Sequence, residues 1–339
     1  MMDTRRQTQI MAVRAAVLWA ACSGMVVNAA QHYVFLNRDR ARIDDSSFLQ
    51  TRALAGAQVK YTWRELEPEQ DSYDFRPIAE DLRRLTSNGK KLFVQLQDVS
   101  FDASINNVPQ YLMREPRFHG GAVQAYDIPH DDEQKAVAAG WVARRWDPAV
   151  QERFQRLVTA LGKEFDGRIA GINLPETAVS FGESGRLFPS GFTFERYRDA
   201  IVTNMAALKR AFPKSVVMQY ANFMPGEWRP QNDKGFLRSV YERARALGVG
   251  LGGPDLMPYR RAQMNHAYGL LRESSGMAPT GIAVQWGNYE FENPQTGKRV
   301  TIPELVNFAT EYLKVDYLFW STQEPFYTEQ VIPFLKRMK

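Results

Sequence analysis

From about residue 32 the chain alternates between two hydrophobic rhythms. Short apolar runs with little polar interruption read as buried strands, and between them apolar residues recur at helical spacing. The strand candidates are Tyr33–Leu36, Ala57–Trp63, Lys91–Gln97, Arg168–Glu176, Ser215–Tyr220, Gly248–Asp255, Gly281–Trp286 and Val315–Trp320. Ile78, Leu82 and Leu85 mark a helix that closes at Asn88-Gly89. Asp147-Pro148 supplies an N-cap followed by proline at the first helical position. Behind it Val150, Phe154, Leu157, Leu161 and Phe165 form one apolar stripe. Phe194, Tyr197, Ile201, Met205 and Leu208 form a second stripe, and Phe236, Val240, Ala244 and Leu247 a third. Residues 261–273 continue the series, and Thr301-Ile-Pro-Glu304 opens a last helix through Leu313 with a capping box.

Strict alternation of strand and helix implies a parallel sheet covered by helices. Eight strand candidates favour a closed (β/α)8 barrel, the TIM-barrel class of α/β fold, over an open sheet. The connection between the first and second strands is the least regular. Between Asp98 and Trp146 lies a long excursion containing Pro109, Phe118, Tyr126 and Trp141. Loops of that length inside a compact domain are usually functional or disordered, and the aromatic content argues for order. This excursion is expected to leave the barrel after the third strand and build one wall of a cleft. No Gly-x-Gly-x-x-Gly opens a helix, so nucleotide binding has no support.

The first residues break the pattern. Arg5, Arg6 and Arg14 precede a small-residue apolar run from Ala15 to Val27, and Val27-Asn28-Ala29 offers a cleavage site. That layout is a secretory signal peptide over residues 1–29, followed by a barrel domain over 30–339. It predicts a periplasmic or secreted protein, and the run is too short for an integral membrane span. The single cysteine, Cys22, lies inside this segment, so the mature chain would have neither thiol nor disulfide. Losing three arginines and Asp3 lowers the formal charge from +5 to +3. Basic residues are scattered, so no nucleic-acid surface is expected. His32, His119, His130 and His266 have no metal-ligand spacing, and neither a metal nor another cofactor is expected. Nothing in the chain predicts its oligomeric state.

Strand ends carry the chemistry-bearing residues. The carboxyl ends of barrel strands are where such folds place active sites. Here those ends offer Glu176, Asp255 and Glu324 as acids, Gln97, Gln219, Asn222 and Gln285 as neutral hydrogen-bonding groups, and Trp63, Trp286 and Trp320 as flat aromatic surfaces. Trp228 lies near another end. Such a set suits a hydroxyl-rich ligand, although each tryptophan alone is more often core or cleft wall.

The run Tyr61-Thr-Trp-Arg-Glu-Leu-Glu-Pro-Glu-Gln-Asp-Ser-Tyr-Asp-Phe75 resembles the W-x-x-x-E-P-x-x-G-x-Y-D-F segment of clan-A glycoside hydrolases. Beta-galactosidases and related retaining barrel enzymes carry it after the second strand. Phe319-Trp320-Ser321 resembles the tryptophan that ends their eighth strand and floors a sugar subsite. The resemblance places Glu176 where their acid/base glutamate ends the fourth strand. Two departures stand out. The family's asparagine directly precedes that glutamate, whereas Asn173 is three residues back. The family's nucleophile is a glutamate ending the seventh strand, where this chain has Gln285.

Glycosidic cleavage needs one carboxyl to protonate the leaving oxygen and another to attack or to activate water. The expected pair is Glu176 with Glu290, the first acid beyond Gln285. Glu183, Asp255, Glu292 and Glu324 are rivals for the second position, and Asp255 or Glu324 could form an inverting pair with Glu176. Glu65, Glu67 and Asp71 are expected to fix the second strand-to-helix loop. The expected ligand groups are Trp63, Gln97, Asn173, Gln219, Asn222, Asp255, Gln285, Trp286, Trp320 and Glu324. The resulting expectation is an exported hydrolase of an oligo- or polysaccharide. The alternatives are a non-catalytic glycan-binding protein on a hydrolase scaffold and, more distantly, a barrel enzyme for another polar substrate.

Overall fold

The computed structural model describes residues 30–338. The segment 1–29, read from the sequence as a signal peptide, lies outside the described residues. Eight parallel strands close into a barrel: β1 (Gln31–Asn37), β2 (Leu54–Thr62), β3 (Lys91–Gln97), β6 (Gly171–Leu174), β7 (Val216–Tyr220), β8 (Gly250–Gly253), β9 (Thr280–Val284) and β10 (Tyr317–Ser321). The ring closes by pairing of β10 with β1. The two remaining strands, β4 (Ala122–Asp127) and β5 (Val137–Ala143), form an antiparallel hairpin inside the long excursion. The (β/α)8 expectation therefore holds. The irregular first connection contains only short helical turns, Arg40–Asp44 and Ser46–Leu49.

Alternation along each strand sorts the side chains into two layers. Val34, Val59, Val94, Ile172, Val217, Ile282 and Leu318 pack outward against the helices. Tyr33, Phe35, Phe93, Met218, Tyr220, Ala283 and Phe319 fill the interior. Gly171 is required by that filling, because a Cβ there would lie 2.6 Å from the Phe93 ring. Helix Pro148–Phe165 starts at Asp147, whose side chain accepts from the amides of Ala149 and Val150. Helix Ile302–Asn307 opens on the Thr301–Glu304 capping box read from the sequence. Among the described residues no helix is long and apolar enough to cross a membrane.

Above the apolar filling the interior turns polar. Gln58 Nε2 donates to Asn173 Oδ1 and to the Tyr220 hydroxyl, both at 3.0 Å. That layer carries the floor of the barrel mouth.

Candidate active site

Glu176 follows β6 by two residues, and Pro175 turns the chain out of the sheet. Its side chain is half-buried. Oε2 accepts a 2.6 Å hydrogen bond from Asn222 Nδ2, which follows β7, and Oε1 makes no hydrogen bond among the described residues. Burial pushes this carboxyl up from 4.5 to about 7; the Asn222 bond and the charges of Lys60 and Arg145 oppose the rise, and Asp255 adds to it. A carboxyl near 7 is protonated in about half of the molecules at neutral pH, and a general acid requires that proton.

Asp255 follows β8 and is the carboxylate whose charge reaches Glu176. Its Oδ1 accepts from Asn288 Nδ2 at 3.0 Å, and Oδ2 has no hydrogen-bond partner among the described residues. Asn288 Oδ1 in turn accepts from the amides of Gln285 and Leu256. One buried amide thus ties the ends of β8 and β9 together and orients Asp255.

Lys60, absent from the sequence-based candidates, shares the inward face of β2 with Gln58. Its ammonium lies 5.8 Å from the centroid of the Phe35 ring. Desolvation lowers it to about 8, partly offset by the charge of Glu176. The signal was present in the run Ala57-Gln-Val-Lys-Tyr-Thr, where polar residues recur at every second position.

Arg145 and Asp98 were also missed. Both are buried, and they form a two-pronged ion pair with contacts of 2.8 and 2.6 Å. Arg145 Nη1 also donates to the Tyr197 hydroxyl at 2.6 Å and to the Glu176 carbonyl at 3.3 Å. This pair clamps the return of the excursion onto the end of β3 and beneath Glu176.

Several expected ligand groups occupy other places. Trp63 is fully buried, and its Nε1 donates to Glu67 at 2.8 Å. Glu67 and Asp71 both bind Arg153 of helix Pro148–Phe165. The motif after β2 is thus a brace between a loop and a helix. Trp320 is likewise sealed on the outward side of β10 among the packing core, donating to His32 Nδ1 at 3.0 Å. Period-two alternation places Phe319, and not Trp320, inside the barrel. Gln219 alternates outward too, and its Nε2 bonds the carbonyls of Pro175 and Tyr220. Asn173 is completely buried beneath the mouth, so it supports the floor without reaching a ligand.

Glu290, the expected partner acid, and its rival Glu324 are both engaged elsewhere. Glu290 is exposed and accepts from Gln323 Nε2 at 2.6 Å. Glu324 pairs with Arg42 at 3.3 Å and caps Thr328 through both its amide and its hydroxyl. The leading charges acting on Glu176 come instead from Asp255, Lys60 and Arg145. Gln97 and Gln285 alternate onto the inward face just above Gln95 and Ala283, and Trp286 is 73% exposed.

A cleft of about 1240 Å³ adjoins this mouth, lined by the hairpin and by the loops after β3, β6 and β7. The excursion does wall a cleft.

The chain superposes on the catalytic domain of a beta-amylase from Paenibacillus polymyxa with a TM-score of 0.55, at 8% identity, over 86% of this chain and 92% of that one. It also superposes on a beta-galactosidase from Bacillus circulans sp. alkalophilus with a TM-score of 0.54, at 11% identity, over 86% of this chain. The match spans half of that larger enzyme. The chain shares the barrel fold of these two enzymes. At these identities the likeness is one of fold. No protein-family model matches the chain, and no curated protein matches it in sequence.

Proposed function

We propose that the protein is a glycoside hydrolase that cleaves O-glycosidic bonds of an oligo- or polysaccharide by a two-carboxylate mechanism. Glu176 is the general acid and Asp255, in place of Glu290, is the opposing carboxylate. The observation carrying this reading is Glu176 itself, a half-buried strand-end carboxyl held at about 7 by desolvation and the charge of Asp255. Glu176 Oε1 delivers its proton to the leaving oxygen. The free Oδ2 of Asp255 attacks the anomeric carbon or takes a proton from water. Trp286 offers an exposed ring at the mouth, and Gln97 and Gln285 offer amides to sugar hydroxyls. The N-terminal pattern of basic, apolar and small residues supports export.

The test is reducing-end release from a panel of neutral, amine-bearing and anionic oligosaccharides. Release by the native chain, lowered about a hundredfold or more in both Glu176→Gln and Asp255→Asn, is the expected result. Activity that survives in Asp255→Asn but fails in Glu290→Gln would return the second role to Glu290.

A second reading is motivated by Gln285, an amide at the end of β9 where the resembled family carries its nucleophile. On that reading the chain binds glycans without cleaving them. Binding of a panel member with no product over prolonged incubation would favour it.

A further inference from the structure

The cleft beside the mouth has a charge character of its own. Its charged lining residues are Asp127, Asp131, Glu133, Glu183 and Glu227, with no lysine or arginine among them. That is an unusual wall in a chain with 43 Lys and Arg against 38 Asp and Glu. Two of the five are committed to structure. Glu227 caps helix Phe236–Leu247 through the amides of Phe236 and Leu237. Glu133 accepts from the amides of Glu183 and Ser184 and from the Ser184 hydroxyl. Asp127, Asp131 and Glu183 remain exposed.

The walls are also tied to one another. Glu133 joins the hairpin connection to the loop after β6, and Tyr126 donates its amide to the Ser180 carbonyl at 2.9 Å. Trp228 pairs its backbone with Asn232 in both directions. Its ring, 52% exposed, stacks parallel to Phe223 at 5.7 Å and 6°. Phe101 projects from the loop after β3 and is also exposed. Flat, exposed rings on a fixed cleft suit the apolar faces of sugar rings. The volume exceeds the roughly 300–1,000 Å³ of a small-ligand pocket, so it accommodates a run of sugar residues.

We propose that this cleft binds an amine-bearing glycan strand, its rings against Phe101, Phe223 and Trp228 and its ammonium groups facing Asp127, Asp131 and Glu183. Charge complementarity selects that occupant over neutral or uronic-acid chains, because an anionic strand would meet like charge at Asp127, Asp131 and Glu183, while Arg186 offsets only Glu133, at 3.8 Å. The cleft begins where β3, β6 and β7 end, the same sector that carries Glu176 and Asn222. A bound strand would therefore run from the cleft toward the acid. In naming the strand as substrate the inference rests on the hydrolytic reading above; its binding does not.

The test uses calorimetry on the full-length Glu176→Gln chain, at a mildly acidic pH that keeps sugar amines protonated. The probes are a β-1,4-linked glucosamine oligomer, its N-acetylated counterpart and an oligouronate of equal length. The glucosamine oligomer is expected to bind about tenfold or more tightly than the acetylated one, with the margin shrinking as salt rises. Combining Asp127→Asn, Asp131→Asn and Glu183→Gln should erase that margin while leaving binding of the acetylated oligomer unchanged. These side chains are exposed, and asparagine tolerates the left-handed backbone of Asp131 (φ 59°). Trp228→Ala should weaken both oligomers alike. Equal affinity for the two, preference for the oligouronate, or selectivity that survives the triple replacement would overturn the proposal. Amine-selective binding without cleavage by the native chain would instead overturn the hydrolytic reading and leave the cleft assignment standing.

Discussion

Asn222 Nδ2 meets Glu176 Oε2 at 2.6 Å, across the ends of two neighbouring barrel strands. The bond favours the ionised carboxylate, while desolvation and the charge of Asp255 favour the protonated one. Desolvation wins. The resulting value, about 7, makes the group useful as an acid and costly to the fold once ionised.

That cost has a defined sign. Glu176 titrates near 4.5 in an unfolded chain and near 7 in the folded one. Between those values the folded state binds more protons, so stability falls as pH rises. Above the folded value the penalty is on the order of 3 kcal/mol. Glu176→Gln should raise the thermal midpoint at about pH 8, and the gain should vanish at about pH 4. Equal midpoints at the alkaline pH would contradict the buried-acid assignment.

Lys60 and Asp255 act on the same proton with opposite signs. Removing the ammonium in Lys60→Met takes away a charge that favours the carboxylate, so the alkaline limb of the pH–rate profile should move up. Asp255→Asn should move that limb down, measured on whatever residual rate the variant retains. Shifts in the same direction would mean that the two side chains do not share this field.

The Arg145–Asp98 pair should prove structural and indispensable. Asp98→Asn leaves a buried guanidinium without its counter-charge, and breaking such a pair costs about 3–5 kcal/mol. The urea midpoint should fall accordingly. An unchanged midpoint would show that Arg145 finds another partner, with the Tyr197 hydroxyl and the Glu176 carbonyl already within reach.

The barrel was legible because period-two strands and helical stripes alternate without a gap longer than the excursion. Glu176, Asp255, Gln285 and Asn222 were legible because each stands just past a strand end. Side-chain direction was less so, since a strand-end motif read as a word ignores alternation. Tyr317 and Phe319 line the barrel, which forces Trp320 outward, and the same alternation turns Trp63 and Gln219 away from the mouth. The Arg145–Asp98 pair was hidden for another reason. It makes sense only through partners far away in sequence, as the contacts of Arg145 with Asp98 and Tyr197 show.

Two tryptophans separate these roles experimentally. Trp320→Ala empties a packed site between β10 and its helices and should cost about 3–5 kcal/mol of stability. Trp286→Ala, at an exposed position, should change stability by less than about 0.5 kcal/mol while raising KM on a cleaved glycan. A stability loss at Trp286 matching that at Trp320 would contradict its placement as an open surface at the mouth.

The most direct measurement compares glycan cleavage by the native chain and by Glu176→Gln, with circular dichroism confirming equal folding. Loss of a positioned general acid should lower the rate by roughly 10²–10⁴-fold. Turnover by the variant at the native rate, on any glycan the native chain cleaves, would remove Glu176 from the chemistry.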